Sequence, residues 1–235
     1  MILDADLMIG RDIATGARLP GPALAASLDG LGIGGGLVTS LRSLLFDAPS
    51  GNDEALAAAG AHGWHAAFGV DLRDPLTALA EVERAASLGV RAVRLAPDRQ
   101  GVPVSAPGLR AVARSAAAAG LLLLVEGDVR VVGPALAGLG ASAVLVDAHF
   151  YHLGDVVLLA RDEPGVHAST RLLGDVDGWE VLAAEVGAER LVFGSRPGWF
   201  EAAAVVDRLA ASGLTPSERE LVTGGNLRRL LGVTA

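Results

Sequence analysis

The 235-residue chain contains no cysteine and no lysine. Without cysteine there is neither a disulfide nor a thiolate metal site, and a reducing compartment is permitted. All 19 basic residues are arginine, which excludes a Schiff-base lysine, a carbamylated-lysine metal bridge and a lysine general base. Aromatics are scarce, at three Trp, one Tyr and five Phe, and Trp64, Trp179 and Trp199 are too scattered for a stacking platform. The formal net charge is −8 and no run of basic residues interrupts it, so the electrostatic footprint of nucleic-acid binding is missing. The apolar run LLLLV at 121–125 falls far short of the roughly 20 residues that span a bilayer. The N-terminus also lacks the basic n-region of a signal peptide. These absences lead us to expect a soluble, cytoplasmic chain whose partners are small molecules or copies of itself, a homodimer included, with no nucleic acid and no membrane.

What is present is patterned. A hydrophobic content of 51%, with Gly and Pro spread along the length, fits one compact body. Eight short runs rich in Val, Ile and Leu recur, most about 25 to 30 residues apart: ILDADL, GIGGGLVTS, WHAAFGV, RAVRLAP, LLLLVEGD, SAVLVDAHF, GVHAST and RLVFGS. Between them lie segments with helical spacing, such as 75–89, 108–120, 178–187 and 200–213, several of which end in Gly. Continuous apolar strands alternating with amphipathic helices indicate a parallel sheet covered by helices. Eight such units predict an α/β protein with a single (β/α)8 barrel domain over 1–235, rather than an open doubly wound sheet. The glycine cluster GLGIGGG at 30–36 is not followed directly by a helix, so it does not meet the context of a dinucleotide fingerprint.

In such a barrel the chemistry gathers at the C-terminal ends of the strands. The polar residues there are Asp4, Asp6, Thr39, Ser40, His65, Arg94, Glu126, Asp128, Asp147, His149, Ser169, Thr170, Ser195 and Arg196. The connection TSLRSLLFDAPSGNDEAL, which carries Arg42, Asp47 and Asn52, is the longest after a strand and reads as a lid, with Asn52 or Asp53 capping a helix from Glu54. His152 is expected to cap the following helix or face solvent, and His167 to sit in the barrel wall. Asn226 and Arg228 are expected to fasten the last helix beneath the barrel.

Four stretches resemble the amidohydrolase-related family, metal-dependent hydrolases and decarboxylases of the (β/α)8 class. MILDADLMIG (1–10) is similar to an opening strand ending in Asp-x-His-x-His, and GVRAVRLAP (89–97) to the family's fourth strand. ERLVFGSRP (189–197) is similar to its Phe-Gly-Ser-Asp-x-Pro eighth strand, and GGNLRRLLG (224–232) to its closing Gly-Asn-x-x-Arg-Leu helix. With VLVDAHF (144–150) they cover nearly the whole chain in the family's order.

The resemblance implies a metal-binding mouth, but the ligands differ. The first-strand histidine positions hold Asp6 and Met8, the fifth-strand histidine is Glu126, the eighth-strand aspartate is Arg196, and His149 alone keeps its identity. A thioether is a poor donor for a hard or borderline divalent ion, and a guanidinium has no acceptor atom. The expectation is therefore a barrel with no metal cofactor, its metal site degenerate, in which Arg196 pairs with Asp6 and Glu126 and a small anionic ligand is bound. The alternative is a metal-dependent hydrolase or decarboxylase acting on a small carboxylate or amide, with one divalent metal such as Zn or Mn held by Asp6, Glu126 and His149. On either reading His149, Glu126, Arg196 and Asp6 are the candidate catalytic residues, with His149 or Glu126 as general base, and His65, Arg94 and Arg42 are the candidate substrate-binding residues. Asp4 is expected to face the same way as Asp6, one layer deeper, and to be satisfied internally.

Overall fold

The computed structural model describes residues 1–233. Its centre is one nine-stranded sheet in the order β2-β1-β3-β4-β5-β6-β7-β8-β9. The strands are β1 (Ile2–Arg11), β2 (Arg18–Leu19), β3 (Ile33–Ser40), β4 (His65–Gly69), β5 (Ala92–Leu95), β6 (Leu122–Val125), β7 (Ala143–Leu145), β8 (Val166–Ser169) and β9 (Leu191–Val192). Every pairing is parallel except that of β1 with β2. The eight parallel strands are the eight apolar runs of the sequence. The two-residue β2, which pairs Gly10 with Leu19 and Arg11 with Arg18, carries no apolar run and escapes a pattern search. The Ala5 amide donates to the carbonyl of Phe193, just past β9, at 2.9 Å.

The strands sort their side chains by period two. On β5, Val93 and Leu95 pack under the helices, while Ala92 joins an inner cluster with Leu122, Leu124, Val144 and Val192. That cluster is closed from below by Leu227 and Leu231 of the helix Asn226–Leu231. Asn226 pins this helix by donating to the carbonyls of Ala188 and Leu191 at 2.8 and 2.7 Å.

β1 breaks the period. Leu3 and Ala5 lie in the inner cluster, whereas Leu7 and Ile9 lie in the helix-facing layer, and the register against β3 shifts between Asp4 and Leu7. A bulge of this kind re-aims side chains, and the two acids here take different partners: Asp4 is satisfied by internal hydrogen bonds from Ser195 and the Asp6 amide, Asp6 by arginines. The glycines of β3 make room for it. A Cβ at Gly36 would stand 1.8 Å from the Asp4 carbonyl oxygen, and one at Gly35, whose φ is +143°, would stand 2.7 Å from the Trp64 ring.

The stretch expected to be a lid is instead helical, as Leu41–Leu45 and Ala48–His62. Asn52 is no cap either. It is fully buried in the longer helix, where it receives the Gly69 amide at 2.8 Å and donates to the Gly69 carbonyl at 3.0 Å and to Glu81 at 2.7 Å. The alanine-rich helix buries only a narrow stripe, and Asn52 latches it to the end of β4.

Candidate functional site

Charged side chains from successive strand ends converge into one buried network. Asp6, on the bulged part of β1, is fully buried and meets three guanidiniums. Arg94 of β5 reaches Oδ1 at 2.7 Å, and the Nε groups of Arg171 and Arg196 reach Oδ2 at 3.1 and 3.0 Å. Glu126, just past β6, receives Arg94 at 3.0 Å and Arg99 at 2.5 Å, with Nη2 of Arg196 3.4 Å away. Asp147, past β7, pairs with Arg171 and lies 3.6 Å from Nη2 of Arg196. It also accepts the Gly127 amide at 3.0 Å.

Four guanidiniums (Arg94, Arg99, Arg171, Arg196) thus face three carboxylates (Asp6, Glu126, Asp147). Burial by itself would raise the affinity of Asp6 for its proton, but Arg196, Arg94 and Arg171 outweigh it and hold the carboxyl below the usual carboxylate range. Glu126 is likewise buried, yet Arg196, Arg94 and Arg99 keep it low. Asp147 goes the other way. Burial and the neighbouring Glu126 raise it against the pull of Arg196 and Arg171. Arg196 is itself held firmly charged: burial opposes this, but Asp6, Glu126 and Asp147 outweigh it.

Arg196 is also the one non-glycine residue with a positive φ, +50°, among the described residues. Asp4 stands outside the arginine network. It accepts the Asp6 amide at 2.7 Å, the Ser195 amide at 3.0 Å and the Ser195 hydroxyl at 2.5 Å. Burial raises its pKa to about 6, with the adjacent charge of Asp6 adding to the shift and the Ser195 bonds opposing it.

Two cavities open on this network. One, of about 560 Å³, is lined by Arg99, Asp147, His149, His152, Arg171 and Arg196, among others. The other, of about 380 Å³, has Met8, Leu41, Trp199 and Phe200 on its walls and shares Arg99 and Arg196 with the first. Phe200 covers the guanidinium of Arg171, 4.2 Å from its ring centre, and flanks that of Arg196 at 5.7 Å.

Of the residues singled out from the sequence, Asp6, Arg94, Glu126, Asp147 and Arg196 meet in the network. His149 does not join it. Its ring lines the larger cavity, stacks on Tyr151 at 4.8 Å and accepts the Tyr151 amide at 3.3 Å. His152 lines the same cavity, with its ring 3.7 Å from Asp128.

Two expectations fail. His65 opens β4 rather than closing it, so it stands at the end of the sheet away from the network; Trp-His at the head of an apolar run does not tell which end of the strand it marks. Arg42 is exposed on the helix after β3 and lines a separate shallow cavity with Arg11, Phe46 and Glu54. Two members of the network were missed. Arg171 lies one residue beyond the strand-end pair Ser169 and Thr170, and Arg99 is on the short helix Pro97–Gln100 after β5. The Arg following HAST was the available signal for the first.

No protein-family model and no curated protein sequence matches this chain. Solved structures that share its fold include TIM-barrel proteins and decarboxylases and hydrolases of the amidohydrolase superfamily. One is 2,6-dihydroxybenzoate decarboxylase complexed with 2,6-dihydroxybenzoate, at 12% identity over 98% of both chains with a TM-score of 0.77. Another is a probable 2-pyrone-4,6-dicarboxylic acid hydrolase from Acinetobacter baumannii with citric acid bound, at 12% identity over 98% of this chain and 99% of that one, with a TM-score of 0.74. A third is 5-carboxyvanillate decarboxylase from Novosphingobium aromaticivorans with bound manganese and 3-methoxy-4-hydroxy-5-nitrobenzoic acid, at 11% identity over 99% and 97%, with a TM-score of 0.76.

The third neighbour corrects an expectation. The absence of a metal cofactor was inferred from Met8 and Arg196, yet the fold they belong to carries manganese in its neighbours, which points to a divalent metal. The donor set was tested against such an ion. Among the described residues no three His, Cys, Asp or Glu side chains are placed to hold one, and the oxygens of Asp6 and Glu126 are engaged by guanidiniums. As arranged, these residues do not form a ligand shell.

Proposed function

We propose that the chain is a single-domain (β/α)8 barrel enzyme of the hydrolase or decarboxylase class that acts on a small carboxylate, bound at the mouth by Arg99, Arg171 and Arg196. The Ala5 to Phe193 hydrogen bond supports closure of the sheet. The observation that carries the functional reading is the set of three guanidiniums, Arg99, Arg171 and Arg196, on the wall of the larger cavity, with Nη2 of Arg196 making no hydrogen bond. Its charge is answered by Glu126 and Asp147 at 3.4 and 3.6 Å, but the hydrogen bond it lacks is one that a ligand carboxylate reaching it would supply. Paired N–H donors in the planar guanidinium match a carboxylate better than any other side chain. The carboxylates bound by the neighbours, dihydroxybenzoate and citrate, support the same chemistry.

On this reading the arginines orient the substrate and stabilise developing negative charge. Glu126, held ionised by three cations, is a weak base. Proton transfer falls to His149 or Asp147 on the cavity wall, where Asp147 holds its proton more tightly than an ordinary aspartate. Asp6 acts by keeping Arg94, Arg171 and Arg196 in place.

The manganese of the neighbours favours a second form of the same reading, in which a divalent cation would supply Lewis-acid chemistry and Asp6, Glu126 and His149, not brought together here, would have to converge on it. Arg94, Arg99 and Arg196 would then have to yield oxygens to it. Turnover of a panel of aryl and aliphatic carboxylates, measured by product release with and without Mn²⁺, tests both forms. We expect at least one carboxylate to be turned over and His149→Ala to lower kcat by about a hundredfold or more. Mn²⁺-dependent turnover that Glu126→Gln abolishes would select the metal form. Complete inactivity under both conditions across the panel overturns the enzymatic reading.

A further inference from the structure

Arg196 holds a strained left-handed backbone, φ +50°, immediately before Pro197, whose ring further restricts the residue that precedes it. Such a conformation persists only where the surroundings impose it. Here both flanks are tied to the bulged segment of β1. On one side Ser195 is fixed by two hydrogen bonds to Asp4, from its amide at 3.0 Å and its hydroxyl at 2.5 Å. On the other, the indole of Trp199 donates to the Met8 carbonyl at 2.9 Å, and the Arg196 carbonyl accepts the amides of Trp199 and Phe200 at 3.2 and 3.1 Å. Between these ties lies Asp6, which receives the Arg196 guanidinium.

The geometry points to a clamp. Asp4 with Ser195, and Trp199 with the Met8 carbonyl, are positioning elements that force Arg196 into its left-handed turn, so that Nε is aimed at Asp6 and the guanidinium is held on the wall of both cavities. Asp4 is otherwise unexplained: it is fully buried, makes no ion pair with the arginines, and lies outside both cavities. The clamp accounts for why an acid is kept two residues from Asp6. This inference rests on the carboxylate-binding reading of the cavity only for its first readout.

A double-mutant cycle tests it. Ser195→Ala removes the hydroxyl bond to Asp4 from a residue that lines neither cavity, Trp199→Phe removes the bond to the Met8 carbonyl, and Arg196→Gly removes the guanidinium together with the backbone penalty. Affinity for 2,6-dihydroxybenzoate and for citrate is read by calorimetry, and thermal stability is read in parallel on the same proteins. We expect Ser195→Ala to weaken binding about tenfold in the wild-type background and to leave it unchanged in the Arg196→Gly background. Equal loss in both backgrounds overturns the clamp. If the wild-type protein binds neither carboxylate, the ligand reading fails separately, and the stability cycle decides. Ser195→Ala must then lower Tm more with Arg196 present than with Gly at 196, and equal drops overturn the inference.

Discussion

At the scale of single residues, the chain places two acids on one strand and gives them opposite electrostatic fates. Asp6 sits among three guanidiniums and stays ionised; Asp4, two residues earlier, has only hydroxyl and amide donors and is raised to about 6. The sign of the consequence follows from linkage. Because the folded state holds the Asp4 proton more tightly than the unfolded chain, its contribution to stability is full below pH 4 and is lost as pH rises through about 6. Raised Asp147 acts in the same direction, and His167, kept neutral by burial down to about 4, acts in the opposite one. Comparison of the wild type with Asp4→Asn isolates Asp4. The stability difference between them, from urea melts, should shift by roughly 2–3 kcal/mol against the wild type between pH 4 and 6.5. A difference that does not change with pH would show that Asp4 is ordinary.

Much of the network was legible at this scale. Arg94 and Glu126 sit at or just past the ends of their apolar runs, the edge at which a parallel sheet gathers its polar residues, and Asp6 interrupts the first run. Arg171 and Arg99 were hidden because they come from connecting segments, whose direction depends on how the chain turns after the strand. His65 shows the converse, since a polar residue beside an apolar run marks either end of it.

At the scale of elements, the pairing of β1 with β3 decides whether the site can form. The bulge that separates the roles of Asp4 and Asp6 brings the Asp4 carbonyl against Gly36, where any Cβ would overlap the backbone itself rather than a movable side chain. Gly36→Ala should therefore cost more than about 3 kcal/mol in a urea melt or prevent folding. A loss within about 0.5 kcal/mol, as for a neutral surface change, would mean that the strands can separate freely there. The glycine cluster at 30–36 attracts attention in the sequence as a possible phosphate loop, and its context excludes that; its actual use, close backbone approach, needs the partner strand to be seen. Helix periodicity located the helices at 75–87 and 107–118 well. It failed for Ala48–His62, where Pro49, Ser50, Gly51 and Asn52 read as a loop although Asn52 and Gly51 are the residues buried against neighbouring elements.

At the scale of the whole molecule, an acidic protein with a net charge of −8 concentrates four arginines at one end of its sheet. They share that end with Asp6, Asp98, Glu126, Asp128 and Asp147, so the fixed fork of guanidinium donors, rather than a net positive field, is what suits a small carboxylate there. The fold shared with carboxylate-binding neighbours was visible in the sequence through the apolar repeat and the GGNLRRLLG helix. The arginine–carboxylate network was not, because it depends on seven side chains from distant parts of the chain meeting in space. Among the described residues no helix is long and apolar enough to cross a membrane. Calorimetric titration of 2,6-dihydroxybenzoate and citrate, with and without Mn²⁺, into the wild type and into Arg99→Gln is the most direct test. Arg99 is the network arginine that pairs with a single carboxylate and stays partly exposed, so its loss should spare the fold. Saturable binding to the wild type, weakened roughly ten- to a hundredfold in Arg99→Gln, is the predicted result, and equal affinity in the two proteins, or no binding to either, would contradict it.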